Sequence, residues 1–491
     1  MRFSLKCGAF LLILVLMAAF AGCGAQPEPT TVPTTTAPIL SFTLPAGANL
    51  SVLEEYPDLE TVDLTASDDL AGIRAWMEAH PQVEVTYRVT IGAETFPGDT
   101  TELTLAAADP AELAEKLQYL PGLTALTLEN TDWSAEALAE LKKAYPNMTL
   151  SYSLMLEGVS LNHDVEEIDG SWITADRIAE VAEKLALLPN LKTVKLMDEN
   201  GTSPLTLTDV KALQDAAPGI LFDYSFEFFG QTLSTSQERV EFDRVKIGNE
   251  NEPLIRQALD ILTNCIYFKL DDCGVSTPVM ASLREDYPGV KIVWRIHIDH
   301  FNMLTDETVL RLTHRLNDGN IHDLKYLTEA VYLDIGHNEQ LTDISFVQYM
   351  PNLECVIVSG APVVDLSYFA NCQKLLWMEL CFCGWVTDIS VFENHPTLKY
   401  LNISYTRVKD LSPLLSVELE RFNALHIPAS AEQKNAYLEK YPNCYTLYDG
   451  DQPYGYGWRY DPPNFTMFEY YRHMRQVFRY DDTNYFGNHR E

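Results

Sequence analysis

The chain has 491 residues, 46% of them hydrophobic and 21% charged, which excludes wholesale disorder and collagen-like repetition and leaves room for several domains or one long repeat array. Asp and Glu total 70 against 35 Lys and Arg, a net charge of −35. A chain this acidic repels phosphate backbones, so no nucleic-acid partner is expected.

Residues 1–22 read as an address. Arg2 and Lys6 make a short positive start, and Cys7 to Phe20 is an apolar run too short to span a bilayer but of signal-peptide size. It ends in Phe20-Ala21-Gly22-Cys23. Small residues before a cysteine resemble the lipobox of bacterial lipoproteins. That resemblance implies lipidation of Cys23, secretion by the signal peptide, and a place on the extracellular face of the bacterial cell membrane. The lipid would be the only membrane contact, since no later segment is long and apolar enough to cross. Residues 23–47 form the tether: Gln26 to Pro38 holds four prolines and five threonines, which favours an extended chain over a packed one.

Residues 48–300 repeat on a long period. Pro81, Pro146, Pro218 and Pro288 lie 65, 72 and 70 apart, each with an aromatic six residues on: Tyr87, Tyr152, Tyr224 and Trp294. Pro442 and Tyr448 make a fifth pair. A typical copy reads as a strand over 83–91, a turn at Gly92 and a strand over 101–105. A helix over 109–120 follows, with Asp109 as cap and Pro110 in the first turn. Then come a strand over 123–128 and a helix over 134–143 capped by Ser134. Each superrepeat thus carries β/α units and an inserted hairpin.

Residues 301–449 repeat on a short period. Asp-Ile/Leu-Ser recurs at Asp343, Asp365, Asp388 and Asp410, spaced 22, 23 and 22. Between these lie 351–358, 373–380 and 396–403, each with apolar residues at alternate positions of a short strand. The pattern L-x-x-L-x-L-x-x-N places Asn338, Ala361, Cys383 and Thr406 at its last position. This resembles the leucine-rich repeat family, most closely the internalin-like type. The segments 120–128 and 188–196 share the pattern, 262–270 more loosely. The general layout is similar to leucine-rich repeat surface lipoproteins of gut Firmicutes, a group that brings no biochemical activity with it. The expected fold class is therefore an α/β leucine-rich-repeat solenoid, with N-terminal β/α superrepeats, a C-terminal array of 22-residue repeats and a helical cap. Stacking is required because one short repeat cannot bury its own apolar face.

Residues 450–491 break the pattern. Phe465, Phe468, Tyr471, Met474 and Phe478 fall on one face of a helix expected over 465–480 with Asn464 as cap. Two readings stand: a cap over the open core of the last repeat, or an exposed aromatic tail that takes a ligand. Arg472, Arg475 and Arg479 are expected to pair with acids of the array.

Catalytic and metal signatures are sparse. Neither a nucleophile elbow, a P-loop nor a dinucleotide fingerprint is present, so the sequence points away from an enzyme and implies no cofactor. His297-Ile-Asp-His300 lacks a third ligand and is expected as surface histidines, so no metal site is assigned. Asp449-Gly-Asp451 lacks the twelve-residue calcium-loop pattern. Seven cysteines lie beyond Cys23, an odd number read as buried structural thiols.

Binding is the function left. The variable strand positions stack into one column of Tyr332, Cys355, Trp377, Tyr400 and Arg421, and a second of Asp334, Ile357, Glu379, Asn402 and Asn423. Aromatics and arginine are typical interface anchors, so the ligand-binding residues assigned are Tyr332, Asp334, Trp377, Glu379, Tyr400, Asn402 and Arg421. A protein or peptide ligand is the first expectation. A glycan or cell-wall polymer is the alternative, and an undetected hydrolase ranks last.

Overall fold

The computed structural model describes residues 38–106, 108–483, 485 and 487–488. The signal segment, Cys23 and most of the tether lie outside the described residues. The chain forms two compact units, which meet in sequence between Ser151 and Tyr152. No helix among the described residues is long and apolar enough to cross a membrane.

The first unit opens with three parallel strands, Ser41–Thr43, Thr61–Asp63 and Glu84–Thr86. An antiparallel hairpin follows, Arg88–Ile91 with Glu94–Pro97. Its turn needs Gly92, which sits at φ +60 with open space around it. Glu102–Leu105 is not the hairpin's second arm, as the alternation had implied. It begins the next group by pairing in parallel with Ala125–Leu128. The hairpin arm at 94–97 ends in a proline and carries one half-buried apolar residue, so its alternation is faint in the sequence. The helices fall as their caps dictate: Asp109 accepts from the backbone of Ala111 and Glu112, and Ser134 from that of Ala137. Tyr87, six residues after Pro81, is buried and its hydroxyl donates to the carbonyl of Tyr119 at 2.8 Å. The strand Thr149–Leu156 crosses the boundary between the units.

In the second unit the same plan recurs. Glu167–Asp169, Thr193–Lys195 and Leu221–Asp223 are parallel and lead into the hairpin Ser225–Phe228 with Gln231–Ser234. Arg239–Asp243, Tyr267–Asp271 and Lys291–Ile298 are parallel, and the last turns back as Phe301–Leu304. Tyr224 repeats the role of Tyr87, donating to the carbonyl of Leu205 at 2.9 Å. Tyr87 and Tyr224 each follow the third strand of a group directly, whereas Tyr152 and Trp294 lie within longer third strands.

From Val309 one parallel sheet of seven strands runs to the end of the array: Val309–Arg311, Tyr332–Asp334, Cys355–Ile357, Trp377–Glu379, Tyr400–Asn402, Arg421–Asn423 and Tyr445–Leu447. Strands start 21 to 24 residues apart, and each pairs in register with the next. This is the coil geometry of a leucine-rich repeat solenoid with mixed α/β content. Leu333, Val356, Met378, Leu401 and Phe422 point inward and are fully buried in one continuous core.

The Asp-x-Ser motif has a mechanical reason. The side chains of Asp343, Asp365, Asp388 and Asp410 each accept from the backbone N–H two residues on, at 2.7 to 2.9 Å. Each such turn opens the short 3-10 segment that carries the chain back along the coil. The last position of the repeat links coils. Asn338 donates to the carbonyls of Leu312 and Ile335 and accepts from Leu316 N–H, whereas the Cys383 thiol meets the carbonyl of Val358 and the backbone N–H groups of Gly360 and Ala361. All seven described cysteines are free thiols, and all but the half-buried Cys444 are buried.

The helix Ala431–Lys440 is the return segment between the last two strands of the sheet. Its Tyr437 is fully buried, 5.2 Å from the ring of Phe422. Residues 453–480, part of the segment expected as a cap, pack along the strand face.

Candidate functional site

The seven residues assigned to ligand binding do form two columns, because parallel register stacks equivalent positions one coil apart. They do not face solvent. Trp377 and Glu379 are 0% exposed, and Asp334 and Asn402 are buried with them. Tyr400 is buried, and Tyr332 and Arg421 are half-buried. What covers them is the chain's own segment from Pro453 to Tyr480.

The contact has the anatomy of a protein interface: an apolar centre with polar pairs around it. Trp377 packs against Trp458 at 4.2 Å and Tyr470 at 5.5 Å between ring centres. Cys355, Ile357, Trp377, Tyr400, Trp458, Tyr471, Met474 and Phe478 make one buried cluster. Glu379 uses both oxygens. One accepts from Trp458 Nε1 at 2.6 Å, and the other from Arg459 at 2.8 Å and the Ser359 hydroxyl at 3.1 Å. Burial works against the Arg459 charge, yet the Glu379 carboxylate more than offsets it and holds the guanidinium well above its ordinary value.

Asp334 accepts from the Tyr480 hydroxyl at 2.6 Å and from Gly336 N–H at 3.0 Å. Burial still pushes its carboxyl above the usual value, because desolvation outweighs those bonds. Asn402 donates to the carbonyl of Pro453 at 2.9 Å. Arg421 pairs with Asp461 and lies 3.5 Å over the Phe468 ring, and the Tyr332 hydroxyl meets His473 Nε2 at 3.0 Å.

The covering segment departs from its expected form. Its helix is Glu469–Val477, not 465–480: Thr466–Met467 pairs with Tyr460–Asp461 as a small antiparallel ribbon, and Phe465, at φ +50, is 61% exposed. Phe468, not Asn464, precedes the first turn. The three arginines also differ from expectation. Arg475 and Arg479 pair with Asp481 and Asp482, and Arg472 donates to the carbonyl of Met467, so all three are used within the segment. The cation that reaches an acid of the array is Arg459.

His297 and His300 are both exposed. His297 contacts Asp272 at 2.6 Å and Asn302, and no cluster of three metal-type ligands occurs among the described residues.

One feature escaped the sequence reading. At the residue before each inter-coil position the backbone is left-handed: His314, His337, Gly360, Phe382, Tyr405 and His426 have φ between 55 and 77. Such a φ favours glycine or asparagine, yet five of the six carry rings, a costly choice for bulky side chains. His314 stacks on His337 at 5.0 Å, Phe382 on Tyr405 at 4.6 Å, and Tyr405 on His426 at 4.6 Å. All but the half-buried Tyr405 among these rings are exposed, so an open edge of rings runs beside the covered face. The same stacking of repeats that produced the two columns would have displayed this third one.

No family model matches the chain, and no curated protein matches it. Among solved structures, an internalin from Listeria monocytogenes is similar at 17% identity and TM-score 0.24, over 79% of this chain and 91% of that one. A leucine-rich repeat protein of Leptospira interrogans is similar at 14% identity and TM-score 0.24, over 83% and 93%. The Toll–Spatzle complex of Drosophila gives 11% identity and TM-score 0.23, over 78% of this chain and 49% of that one. Superpositions this loose carry no weight for function, and the repeat assignment rests on the coil spacing and strand register described above.

Proposed function

We propose that this chain is a lipid-anchored binding protein of the bacterial cell surface, tethered through Cys23, whose repeat array takes a protein or peptide partner and performs no catalysis. The observation that carries this reading is that the array already holds a polypeptide. Its strand face accommodates residues 453–480 with buried aromatic anchors, a buried acid–arginine pair and side-chain bonds to a backbone carbonyl. Because that face is filled, the partner is taken along the open edge of rings, with Phe382, 46% exposed, as the central anchor. Ring edges pointing outward from a face-to-face stack suit side chains better than sugar faces. One observation favours the glycan alternative: Trp385 is 57% exposed beside Arg407.

The test is a binding screen of soluble residues 38–491 against surface proteins and against glycans. A saturable protein hit, weakened about thirtyfold or more in Phe382→Ala with folding unchanged, supports the proposal. A glycan hit lost in Trp385→Ala, with proteins silent, overturns it in favour of the alternative.

A further inference from the structure

Between the strand face and its covering segment lies a polar chamber of about 270 Å³. It is walled by Arg311, Asp334, Glu379, Arg459 and Arg475, and His314 and His337 are exposed at its mouth. We propose that this chamber binds a small organic molecule through a carboxylate group.

Packing is the first argument. A few ångströms away the same interface is filled: Trp377, Trp458, Met474 and Phe478 are all fully buried. The chamber is half open and has room for roughly nine waters at about 30 Å³ each. A cleft of that size beside a well-packed contact, and walled by charge, suits something polar.

Charge decides the sign. The two carboxylates in the wall are already satisfied: Asp334 by Tyr480 and Gly336, Glu379 by Trp458, Arg459 and Ser359. The cations keep donors to spare among the described residues. Arg311 gives one of its terminal nitrogens to the carbonyls of Phe478, Arg479 and Tyr485, and its Nε, like that of Arg459, has no acceptor among the described residues. Arg475 adds a third guanidinium, held only by the exposed Asp481 and by the Tyr471 hydroxyl. In a chain with twice as many acids as bases, three arginines meet at one cavity whose acids have no further need of them.

The complement is an acceptor without donors. A planar carboxylate matches the guanidinium fork with two parallel bonds; a phosphate can do the same but brings more negative charge beside Asp334 and Glu379. His314 and His337 belong to both the ring edge and the chamber's mouth, but Phe382, the anchor of the polypeptide reading, does not line the chamber, so the two readings are tested by different variants and different molecules.

The test is calorimetry and tryptophan fluorescence of soluble residues 38–491 with succinate, glutamate and glucuronate. Succinamide, N-acetylglutamine amide and glucose serve as neutral counterparts, with inorganic phosphate alongside. The expected result is saturable one-site binding of at least one carboxylate with its neutral counterpart silent. Arg475→Met should weaken it about tenfold or more without moving the unfolding midpoint. Asp481→Asn, which releases Arg475 from its exposed partner, should tighten it. The proposal is overturned if none of the three carboxylates saturates, if a neutral counterpart binds as well, or if phosphate binds more tightly than all three. Failure of both variants to change affinity overturns the placement in this chamber.

Discussion

Replacing Glu379 by Gln probes the joint between array and covering segment. The substitution keeps the shape and removes the charge. Arg459, one quarter exposed, then loses its only described carboxylate partner, and Gln can accept from either Trp458 Nε1 or Arg459 with its single oxygen but not serve both ends as before. Breaking a buried pair from one side costs about 3–5 kcal/mol. The partial exposure of Arg459 brings this to about 3 kcal/mol, a factor of roughly 150 in the docking equilibrium. The array's own core is untouched, so the loss should appear first as loosening of 453–480. Denaturant unfolding followed by near-ultraviolet circular dichroism, which reports Trp377 and Trp458, should shift, and a cycle with Arg459→Met should show strong coupling. A cost below about 0.5 kcal/mol in Glu379→Gln, or additive effects in the cycle, would refute the reasoning.

Trp377→Ala should destabilise the fold by about 3–5 kcal/mol, measured by urea denaturation, because it empties a fully buried site. Loss of partner binding with stability unchanged would contradict that. A thiol reagent should modify at most Cys444 in folded residues 38–491 and all seven cysteines after denaturation, since burial pushes the Cys372 and Cys383 thiols up to about 12. Rapid native labelling of several would count against the packing. Asp334 sets a pH dependence. Its folded carboxyl keeps a proton that the unfolded chain, with a value near 3.8, has lost, so stability falls as pH rises from 3.8 through the raised folded value. Wild type should therefore gain on Asp334→Asn as pH falls from about 7 to about 4, read by urea midpoints, and a difference independent of pH would exclude the shift.

Much of the fold was legible because repeats write themselves into spacing. The Asp-x-Ser motif, the alternating strand residues and the Pro-to-aromatic pairs each recur at fixed offsets, and each has a local mechanical job. The two columns were legible for the same reason, since register follows from coil length. Their covering was not. Whether Trp377 faces a ligand or Trp458 depends on a contact across 81 residues, and the pairing of Glu379 with Arg459 spans 80. Periodicity carries no information at such separations. The face of 465–480 misled for a related reason: Phe465 fits the helical pattern, but the ribbon at 466–467 ends the helix before reaching it. The edge of rings was within reach, since His337, Phe382 and Tyr405 each stand one residue before Asn338, Cys383 and Thr406.

Hydrogen exchange read by mass spectrometry on soluble residues 38–491 tests most directly that the array's strand face is covered by the chain's own C-terminal segment. The account predicts that peptides spanning 455–480, where Phe468 N–H bonds to the carbonyl of Arg459 and Phe478 N–H to that of Met474, exchange as slowly as the array strands 355–357 and 377–379 beneath them. It also predicts that Glu379→Gln speeds exchange in 455–480 before it affects the core of the coils. Exchange of 455–480 at unprotected rates while the array strands stay protected would contradict it, and would return Trp377, Tyr400 and their columns to the solvent as an open binding face.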